Sequence, residues 1–529
     1  MTRASRIWAW MLVTLAVIGL STANLWMGEL NQDEGWYLYA ATQVAEGRLP
    51  YIDYSYTQAP VLPLVYAAVT PVIDSFGIAG GRFVTLLLGL SALGLAGLAA
   101  SRISGQKLAL LLTVILGGIN VYQSYFTTIV KTYSLCGFFL AAGFYLLSRL
   151  VRSSSWWPGV FAGVCLALAA GTRISAGVAM PVVFLVLGWE SIRGRRSLGP
   201  ALGFAVGGGL TLIAIFMPFL ILAPQSALFH LVEYHSARTA GGLVNLLVYK
   251  AGFLSRVVQA YFVAAVLLAG CVLYRCLGDR KQRIADGSTR SWLTMAVASV
   301  AGISLLHFLA PFPYDDYQVP VYPLVCAILA VVLSAWLAGM EALKRSRYES
   351  LMVWWLLLAS AAAAGSSPIN QNWMIAGRDR IWWLTKSQPA IVQLREAAAQ
   401  IAALHPEGRL FTQDIYLAVE AGLAVPEGME MGPFSYYPGW PDEQAAAMHV
   451  MNEAGLHQIL ATTDCPVAAV SDYGFSIDSP SIKPIPAKDR TRLLAQLEER
   501  YDLAETIEQF GQAGTTLRLY TLKPELARP

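Results

Sequence analysis

Apolar runs of bilayer-spanning length recur along the first two thirds of the chain. An α-helix needs about 20 apolar residues to cross the hydrocarbon core, and in lipid only helices and closed barrels satisfy every backbone polar group. The chain has 529 residues, of which 56% are hydrophobic and 13% are charged. We therefore predict a mainly α-helical, polytopic membrane protein of about 11 transmembrane helices. The predicted spans are residues 7–27, 82–101, 108–129, 132–150, 156–172, 174–190, 199–222, 252–274, 291–310, 319–341 and 350–367.

Lysine and arginine residues cluster at every second junction between the predicted spans. Because basic residues are concentrated on the cytoplasmic side of membrane proteins, we predict a protein of the cytoplasmic (inner) membrane with its N-terminus in the cytoplasm. The loops 28–80 and 223–251, the turn 311–318 and the C-terminal region would then lie outside. The basic clusters are Arg3/Arg6, Arg102/Lys107, Arg149/Arg152, Arg193/Arg195/Arg196, Arg275/Arg280/Lys281/Arg283 and Lys344/Arg345/Arg347.

Two further apolar stretches are predicted to lie in the interface instead of crossing the membrane. Residues 61–76 are apolar enough to span, but a span there would move Arg102 and Lys107 to the outside. Residues 229–238 mix apolar and polar side chains at helical spacing. We expect both stretches to be helices beside the outer ends of the spans.

The C-terminal region has the composition of a soluble protein. We predict a membrane domain over residues 1–367 and a small α/β domain over residues 368–529 that covers the outer opening and helps to select an acceptor. Its candidate contacts are Glu420, Glu427, Glu430 and residues 434–437. The predicted elements are helices at 390–404 and 493–501 and strands at 409–412, 467–471 and 516–522.

Two adjacent carboxylates, Asp33 and Glu34, follow the first predicted span. A structural explanation is available, because Glu34 stands three residues after Asn31, as in a capping box, and the helix dipole favours acids in the first turn. That explanation accounts for Glu34. It does not account for a second carboxylate, several aromatic residues and Asp53 at the same membrane face. We therefore predict that Asp33 and Glu34 are catalytic, with Asp33 as the principal residue.

The order of short motifs around these acids resembles a known family. Residues Asp33-Glu34-Gly35-Trp36-Tyr37 are followed by Gly47-Arg48-Leu49-Pro50-Tyr51-Ile52-Asp53 and then by Thr57-Gln58-Ala59-Pro60. This succession is similar to the first outer loop of the GT-C glycosyltransferases, in particular the branch of protein O-mannosyltransferases and lipid A aminoarabinose transferases. The turn from Pro313 to Pro323 resembles a late outer loop of that branch.

The resemblance implies an enzyme that moves a sugar, hexose or pentose, from a polyprenyl-phosphate carrier to an acceptor hydroxyl outside the cytoplasmic membrane. It gives Asp33 the role of general base, which takes the proton of the hydroxyl as the anomeric carbon is attacked. Glycosyl transition states resemble oxocarbenium ions, so nearby negative charge stabilises them. Direct displacement would invert the anomeric centre. The implied partners are the lipid-linked donor, the bilayer and a lipid, glycan or protein acceptor. The net charge of +3 is too small to indicate a nucleic acid.

A cation is expected opposite the carboxylates, because the leaving group is a phosphate. Related aminoarabinose transferases have a lysine, and O-mannosyltransferases a histidine, where this chain has Gln58. Lys131 and Arg238 are the first candidates instead, although a contact with lipid headgroups explains each of them as well. The predicted substrate-binding residues are Asp53, Tyr56, Gln58, Lys131, Arg173, His235, Arg238, Tyr314, Asp316, Tyr317 and Arg378.

Other assignments stay open on the sequence. Asp315 and Asp316 offer oxygen ligands for a divalent metal ion, but a solvated turn explains them too, and no cofactor is assigned. A transporter or flippase of a lipid-linked intermediate would place ionisable residues at mid-membrane. A receptor or scaffold would use the C-terminal domain for binding. The centres of the predicted spans are nearly free of charge, which favours an enzyme at the interface.

Overall fold

The computed structural model describes residues 2–153, 155–238, 241–277, 286–366, 388–405, 407–462 and 465–526. Helices dominate the part of the chain before residue 367. They are α1 (Arg3–Met27), α2 (Gln32–Ala45), α3 (Val61–Tyr66), α4 (Thr70–Ser104), α5 (Lys107–Gly118), α6 (Val121–Phe126), α7 (Thr132–Leu150), α8 (Trp157–Thr172), α9 (Ala179–Ile192), α10 (Gly199–Leu222), α11 (Pro224–Leu228), α12 (Tyr234–Ser236), α13 (Leu243–Ala260), α14 (Phe262–Leu277), α15 (Gly287–Leu309), α16 (Tyr322–Ala338) and α17 (Ala342–Ser366).

By length and composition, seven helical segments among the described residues can cross a membrane. Helix α13 and residues 262–273 of α14 form a further candidate, bent by 97°, and α5, α8 and α16 are shorter apolar helices. The seven segments, the bent pair and the three shorter helices together correspond to the eleven predicted spans. The prediction of a mainly helical, multi-pass membrane protein is therefore confirmed. The seven segments are Arg3–Met27, Val61–Ser104, Thr132–Leu150, Ile174–Ile192, Gly199–Leu222, Gly287–Leu309 and Ala342–Ser366.

A break at Gly77 separates the apolar stretch 61–76 from the span that follows it. Gly77 has φ 60° and ψ −141° inside α4. Residues with a Cβ are strained at such a φ, and a Cβ here would lie 2.1 Å from Oε2 of Glu420. The stretch is therefore not a straight extension of the span, as expected of an interfacial helix. The predicted helix at 229–238 is also found, since α11, a π-helical turn at Phe229–Glu233 and α12 are contiguous.

The C-terminal residues form an α/β unit around one four-stranded sheet. The strand order is β1-β2-β6-β5, in which β1 and β2 are parallel and the other neighbours are antiparallel. Strands β3 and β4 form a separate two-stranded sheet. The elements are β1 (Leu410–Phe411), β2 (Val467–Ser471), β3 (Ile477–Asp478), β4 (Lys483–Pro484), β5 (Tyr501–Phe510), β6 (Thr515–Leu522), α18 (Ala390–Leu404), α19 (Ile415–Ala421), α20 (Asp442–Ala447), α21 (Glu453–Thr462) and α22 (Ala487–Arg500).

The predicted small α/β fold is confirmed, but the sequence does not predict the short strands β3 and β4 or the longer strand β5. Helix α18 and strands β1, β2 and β6 lie where the sequence predicts them, and α22 begins six residues before the predicted start at 493. Only the two end residues of β5 are buried, so its sequence lacks the apolar alternation that marks a half-buried strand. The predicted domain boundary at 367/368 adjoins residues 367–387, which are outside the described residues.

The α/β unit packs directly on α2, the helix that carries Asp33 and Glu34. The close approach depends on Gly35, where a Cβ would lie 2.2 Å from the backbone nitrogen of Tyr416. Farther along α2, Tyr39 Oη accepts a hydrogen bond from the backbone N–H of Val425 at 3.1 Å. One continuous cluster of buried apolar side chains joins α2, the loop after it and the α/β unit. The docking of this unit is therefore part of the hydrophobic core.

Glu430, a candidate acceptor contact, is instead buried at this docking surface. Its carboxylate lies 3.7 Å from the guanidinium of Arg48. Burial raises the pKa of Glu430 from 4.5 to about 7. The folded protein therefore holds this proton more tightly than the unfolded chain does. The resulting stabilisation is complete below pH 4.5 and is lost as the pH rises through about 7.

We expect the wild-type protein to lose up to about 3 kcal/mol of stability, relative to Glu430→Gln, between about pH 4.5 and pH 8. The amide of the variant does not titrate, so its melting temperature lacks this contribution. Thermal unfolding followed by intrinsic fluorescence across that pH range measures the difference. If the melting temperatures of the two proteins changed with pH in parallel, the pKa of Glu430 would not be raised in the folded protein.

Candidate active site

The N-terminus of α2 holds Asp33 in a fixed orientation. Asn31 caps the helix, since its Oδ1 accepts from the backbone N–H of Asp33 at 3.1 Å while Glu34 Oε1 accepts from the backbone N–H of Asn31 at 3.0 Å. This is the predicted capping box. Asp33 Oδ1 then accepts a hydrogen bond from Trp36 Nε1 at 3.2 Å, and its Oδ2 lies 3.1 Å from Lys131 Nζ.

Lys131 joins Asp33 to a second carboxylate. Its Nζ lies 3.1 Å from Oδ2 of Asp33 and 3.1 Å from Oδ2 of Asp316, which also accepts from the hydroxyl of Tyr133 at 2.9 Å. Lys131 immediately precedes α7, and Asp316 belongs to the short 3₁₀ helix Asp315–Gln318. The lysine therefore brings together α2, the start of α7 and the turn before α16.

A cavity of about 750 Å³ lies beside this ion-paired group, between the membrane helices and the α/β unit. Chain segments that are distant in sequence line it. Nine of the predicted site residues lie in its wall. These residues are Asp33, Gln58, Lys131, Arg173, His235, Arg238, Tyr314, Asp316 and Tyr317.

Arg173 and Arg238 face the cavity without a carboxylate partner within 4 Å among the described residues. The guanidinium of Arg173 lies 4.3 Å from the ring centre of Tyr317 and 5.0 Å from that of Tyr133, and it donates to Thr132 Oγ1 at 3.3 Å. Arg238 lies 5.0 Å from the ring centre of Tyr234 and donates to its hydroxyl at 3.2 Å. The Nε groups of both arginines are buried and make no hydrogen bond within the described structure. A half-buried cation whose neighbours are aromatic rings and hydroxyl groups, with no carboxylate to neutralise it, is well placed to bind an anionic ligand.

His235 is a neutral member of the wall. Its Nε2 donates to the backbone carbonyl of Thr57 at 2.7 Å, which ties α12 to the loop that contains Gln58. Burial, together with the nearby charge of Arg238, lowers the pKa of His235 to about 4. The imidazole is therefore uncharged at neutral pH and adds no positive charge to the cavity.

The fold was compared with known structures. ArnT from Cupriavidus metallidurans in the apo state aligns over 99% of this chain and 100% of its own, with a TM-score of 0.62 and 15% identity. The same protein bound to undecaprenyl phosphate gives a TM-score of 0.61, 14% identity and 99% coverage of both chains. Oligosaccharyltransferase AglB from Archaeoglobus fulgidus, in complex with an inhibitory peptide and a dolichol-phosphate, covers 89% of this chain and 70% of its own at a TM-score of 0.51 and 12% identity. This chain has the GT-C fold. No protein-family model and no curated protein matches the sequence.

Within this GT-C fold, Glu34 does not line the cavity, which corrects its predicted catalytic role. Its side chain is fully buried against Arg82, whose Nη2 lies 2.6 Å from Oε1 and whose Nε donates to Oε2 at 2.8 Å. Oε2 also accepts from the backbone N–H of Val130 at 3.2 Å. With both oxygens occupied by protein donors, Glu34 holds the loop in place and is not available to a substrate.

Two other predicted binding residues do not line the cavity. Asp53 is exposed, and its carboxylate accepts from the backbone N–H of Leu49 at 2.6 Å, so it closes a turn. Tyr56 is buried behind Trp36, with ring centres 5.6 Å apart. Arg378 lies outside the described residues.

The acidic turn is bound by basic side chains. Asp315 accepts from Arg256 Nε at 2.7 Å and from the hydroxyl of Tyr122, while Asp316 is paired with Lys131. Among the described residues, no group of three or more His, Cys, Asp or Glu side chains is arranged to hold a metal ion. The structure therefore points to no specific ligands for the divalent ion that the sequence left open.

Several residues in or beside the cavity are not singled out by the sequence analysis. Arg82 begins a predicted apolar span, and the only signal for its buried ion pair with Glu34 is a lone arginine at the end of such a run. Asp414 and Tyr416 belong to the α/β unit and line the cavity, but no local motif marks them. Of the candidate contacts in that unit, Phe434 lines the cavity, whereas the described lining includes none of Glu420, Glu427 and Glu430.

Proposed function

We propose that the protein is a glycosyltransferase that moves a sugar from a polyprenyl-phosphate donor to an acceptor hydroxyl. One observation carries the proposal: the carboxylate of Asp33 lines the same cavity as the guanidinium groups of Arg173 and Arg238, which have no carboxylate partner among the described residues. A glycosyl transfer from a lipid phosphate needs these opposite charges on the two sides of the reacting carbon. The undecaprenyl phosphate bound by ArnT and the dolichol-phosphate bound by AglB support this class of donor.

The geometry supports separate roles for the three cations. Lys131 is already paired with Asp33 and Asp316, so its role is to orient the carboxylate of Asp33. Arg173 and Arg238 have no carboxylate to neutralise them in the described structure, so they bind the phosphate. We therefore propose Arg173 and Arg238 as the phosphate ligands, whereas the sequence alone favours Lys131 and Arg238.

In the proposed reaction, Asp33 accepts the proton of an acceptor hydroxyl. The hydroxyl oxygen forms a bond to the anomeric carbon, and the bond from that carbon to the phosphate oxygen breaks with its electron pair. The negative charge that develops on the leaving phosphate is stabilised by Arg173 and Arg238. Because attack and departure take place on opposite faces, the anomeric centre is inverted. The transferred sugar is a hexose or a pentose.

We further infer that the cavity opens toward the outer face of the cytoplasmic membrane. The basic ends of the helices gather at one end of the bundle, where Arg152 donates to the carbonyl of Ile103 at 2.7 Å and Arg196 to that of Leu150 at 2.8 Å. Asp33 follows the other end of α1, so it lies opposite the basic residues near its start. The positive-inside rule places the basic end in the cytoplasm. The α/β unit is then an extracytoplasmic domain.

The function is tested with proteoliposomes that contain the purified protein and a radiolabelled polyprenyl-phosphate sugar. A cell-envelope extract supplies acceptors, and mass spectrometry of the labelled product identifies the sugar. We expect the label to leave the lipid and to appear in a product. Transport of intact donor across the bilayer, without its consumption, would favour the flippase alternative. An unchanged and untransported donor would favour a receptor or scaffold.

The phosphate-binding role makes a separate prediction about Arg173 and Arg238. We expect Arg173→Gln and Arg238→Gln each to weaken undecaprenyl phosphate binding by about 10-fold to 100-fold, since each loses charge-assisted hydrogen bonds to the phosphate. Ligand-induced shifts in melting temperature report the binding. Arg195→Gln is the matched control, because Arg195 is exposed and belongs to a predicted cytoplasmic basic cluster. If undecaprenyl phosphate raised the melting temperature equally in all three variants, Arg173 and Arg238 would not be the phosphate ligands.

A further inference from the structure

The charged groups of the cavity are divided between its two walls. The membrane domain contributes the three cations Lys131, Arg173 and Arg238, together with the carboxylates of Asp33 and Asp316, both of which are paired with Lys131. The α/β unit contributes Asp414 and uncharged polar groups such as Ser471 and Gln512, and among its described lining residues there is no Lys, Arg or His. One wall therefore suits a phosphate, and the other offers a carboxyl group, hydroxyls and an amide.

Asp414 is the one charged residue of the second wall among those described. It is 1% exposed, and its Oδ1 accepts from the hydroxyl of Tyr416 at 2.9 Å. Its backbone N–H donates to Thr412 Oγ1 at 3.0 Å, which fixes the start of α19. Its Oδ2 is buried and makes no hydrogen bond of good geometry with the described residues, although Ser471 and Gln32 lie near the carboxyl group. A buried carboxyl oxygen without a donor is costly, and a hydroxyl of a bound ligand would remove that cost.

Gln413, the residue before Asp414, is hydrogen-bonded to α2, the helix that carries Asp33. Gln32, which precedes Asp33, donates through Nε2 to the carbonyl of Gln413 at 3.2 Å. The backbone N–H of Gln32 also donates to Oε1 of Gln512 at 2.7 Å. The residues next to Asp33 and Asp414 are therefore hydrogen-bonded to each other. A group held at Asp414 shares one cavity with the proposed general base.

We propose that Asp414 and its neighbours on the α/β unit form the acceptor subsite, and that this subsite takes an uncharged, hydroxyl-rich group such as the end of a glycan or a polyol. The inference rests on the proposed function and names its acceptor class. Hydroxyl groups of the acceptor donate to Asp414, while the rings of Tyr416, Tyr473 and Phe434, all in the cavity wall, offer apolar faces to a sugar ring.

A phosphorylated acceptor does not suit this wall. Burial raises the pKa of Asp414, but in either protonation state the group bonds to hydroxyls and provides no positive charge. A phosphate placed here meets a buried carboxyl group, and the described lining residues of the α/β unit include no cation to neutralise it. The wall beside Asp414 therefore favours acceptors that present hydroxyl groups and disfavours acceptors that present a phosphate.

The test uses the full-length protein in nanodiscs and does not depend on sugar transfer. The probes are methyl glucoside, methyl galactoside, methyl mannoside and inositol, together with glucose 6-phosphate, galactose 6-phosphate and mannose 6-phosphate. Saturation-transfer NMR measures their binding. We expect at least one neutral probe to bind more tightly than its phosphorylated counterpart, and Asp414→Asn to weaken that binding by about 10-fold. Asp502→Asn, an exposed carboxylate on β5, is the control.

A second variant keeps the test valid if Asp414→Asn does not fold. Gln512→Lys adds a cation to the same wall and is expected to create binding of a phosphorylated probe. Failure of every neutral probe to bind, equal or tighter binding of the phosphorylated sugars to the wild type, or unchanged binding by Asp414→Asn would each overturn the proposal. Undecaprenyl phosphate binding, measured in the same samples, separates a failure of this subsite from a failure of the proposed transferase.

Discussion

Asp33→Asn is expected to lower the rate of sugar transfer by about 10²-fold to 10⁴-fold, the contribution usual for general base catalysis. The amide keeps the size of the side chain and can still accept from Trp36, but it cannot take a proton from the acceptor hydroxyl. The loss should appear in kcat, because the carboxylate acts on the proton that moves in the transition state. Donor binding should change little, since Arg173 and Arg238 carry the phosphate.

Initial rates at saturating donor, together with the shift in melting temperature caused by undecaprenyl phosphate, measure the two parts of this expectation. Asp74→Asn is the control. Asp74 is also an acid in the segment between α1 and the next span, but it is exposed and does not line the cavity. A correctly inserted Asp33→Asn protein that transfers sugar at nearly the wild-type rate would show that Asp33 is not the base.

The membrane part of the fold can be predicted from the sequence because every span must be an apolar helix long enough to cross the bilayer, and this is a local property of the sequence. Apolar length and basic flanks were enough to place eleven segments. The start of α2 was also predictable, since a capping box involves only residues three positions apart. Asp33, Lys131, Arg173 and Arg238 could be proposed because transfer from a lipid phosphate calls for a carboxylate and for cations at the outer ends of the spans.

The rest of the site depends on contacts between distant parts of the chain. Asp414 lies near α2 only because Gly35 lets α19 approach its backbone, and nothing around residue 414 marks that contact. Glu34 and Asp33 look alike in sequence. Their environments differ because Arg82 encloses one carboxylate and the cavity receives the other. The pairing of Glu34 with Arg82 joins residues 48 positions apart, beyond the reach of helical periodicity.

Arg82 fixes the positions of two site residues, Asp33 and Lys131, at once. Its guanidinium donates to both carboxylate oxygens of Glu34 and to the carbonyls of Gly28 at 3.1 Å and Glu29 at 2.8 Å. Glu34 in turn accepts from the backbone N–H of Val130. Glu34 is bonded to Asp33, and Val130 to Lys131, through the chain. The buried pair therefore sets the distance between the base and the lysine that orients it.

We expect Arg82→Met to destabilise the protein by about 3–5 kcal/mol, since it leaves the carboxylate of Glu34 buried without its partner. The double variant Arg82→Met/Glu34→Gln removes the unpaired charge, so it should regain much of this stability. Its transfer rate should stay low, because the link between α2 and residue 130 is weakened and Asp33 is no longer held against Lys131. Melting temperatures and transfer rates of the single and double variants separate the two effects.

Arg345→Met is the matched control for loss of an arginine from an ion pair. Arg345 pairs with Glu349 one helical turn away on α17, and its side chain is 37% exposed, so its loss should cost less than about 1 kcal/mol. If the double variant recovered stability and full transfer together, the pair would serve folding alone. If it recovered stability without transfer, the Glu34–Arg82 pair would be shown to position the reacting groups, which is the role that its location between Asp33 and Lys131 predicts.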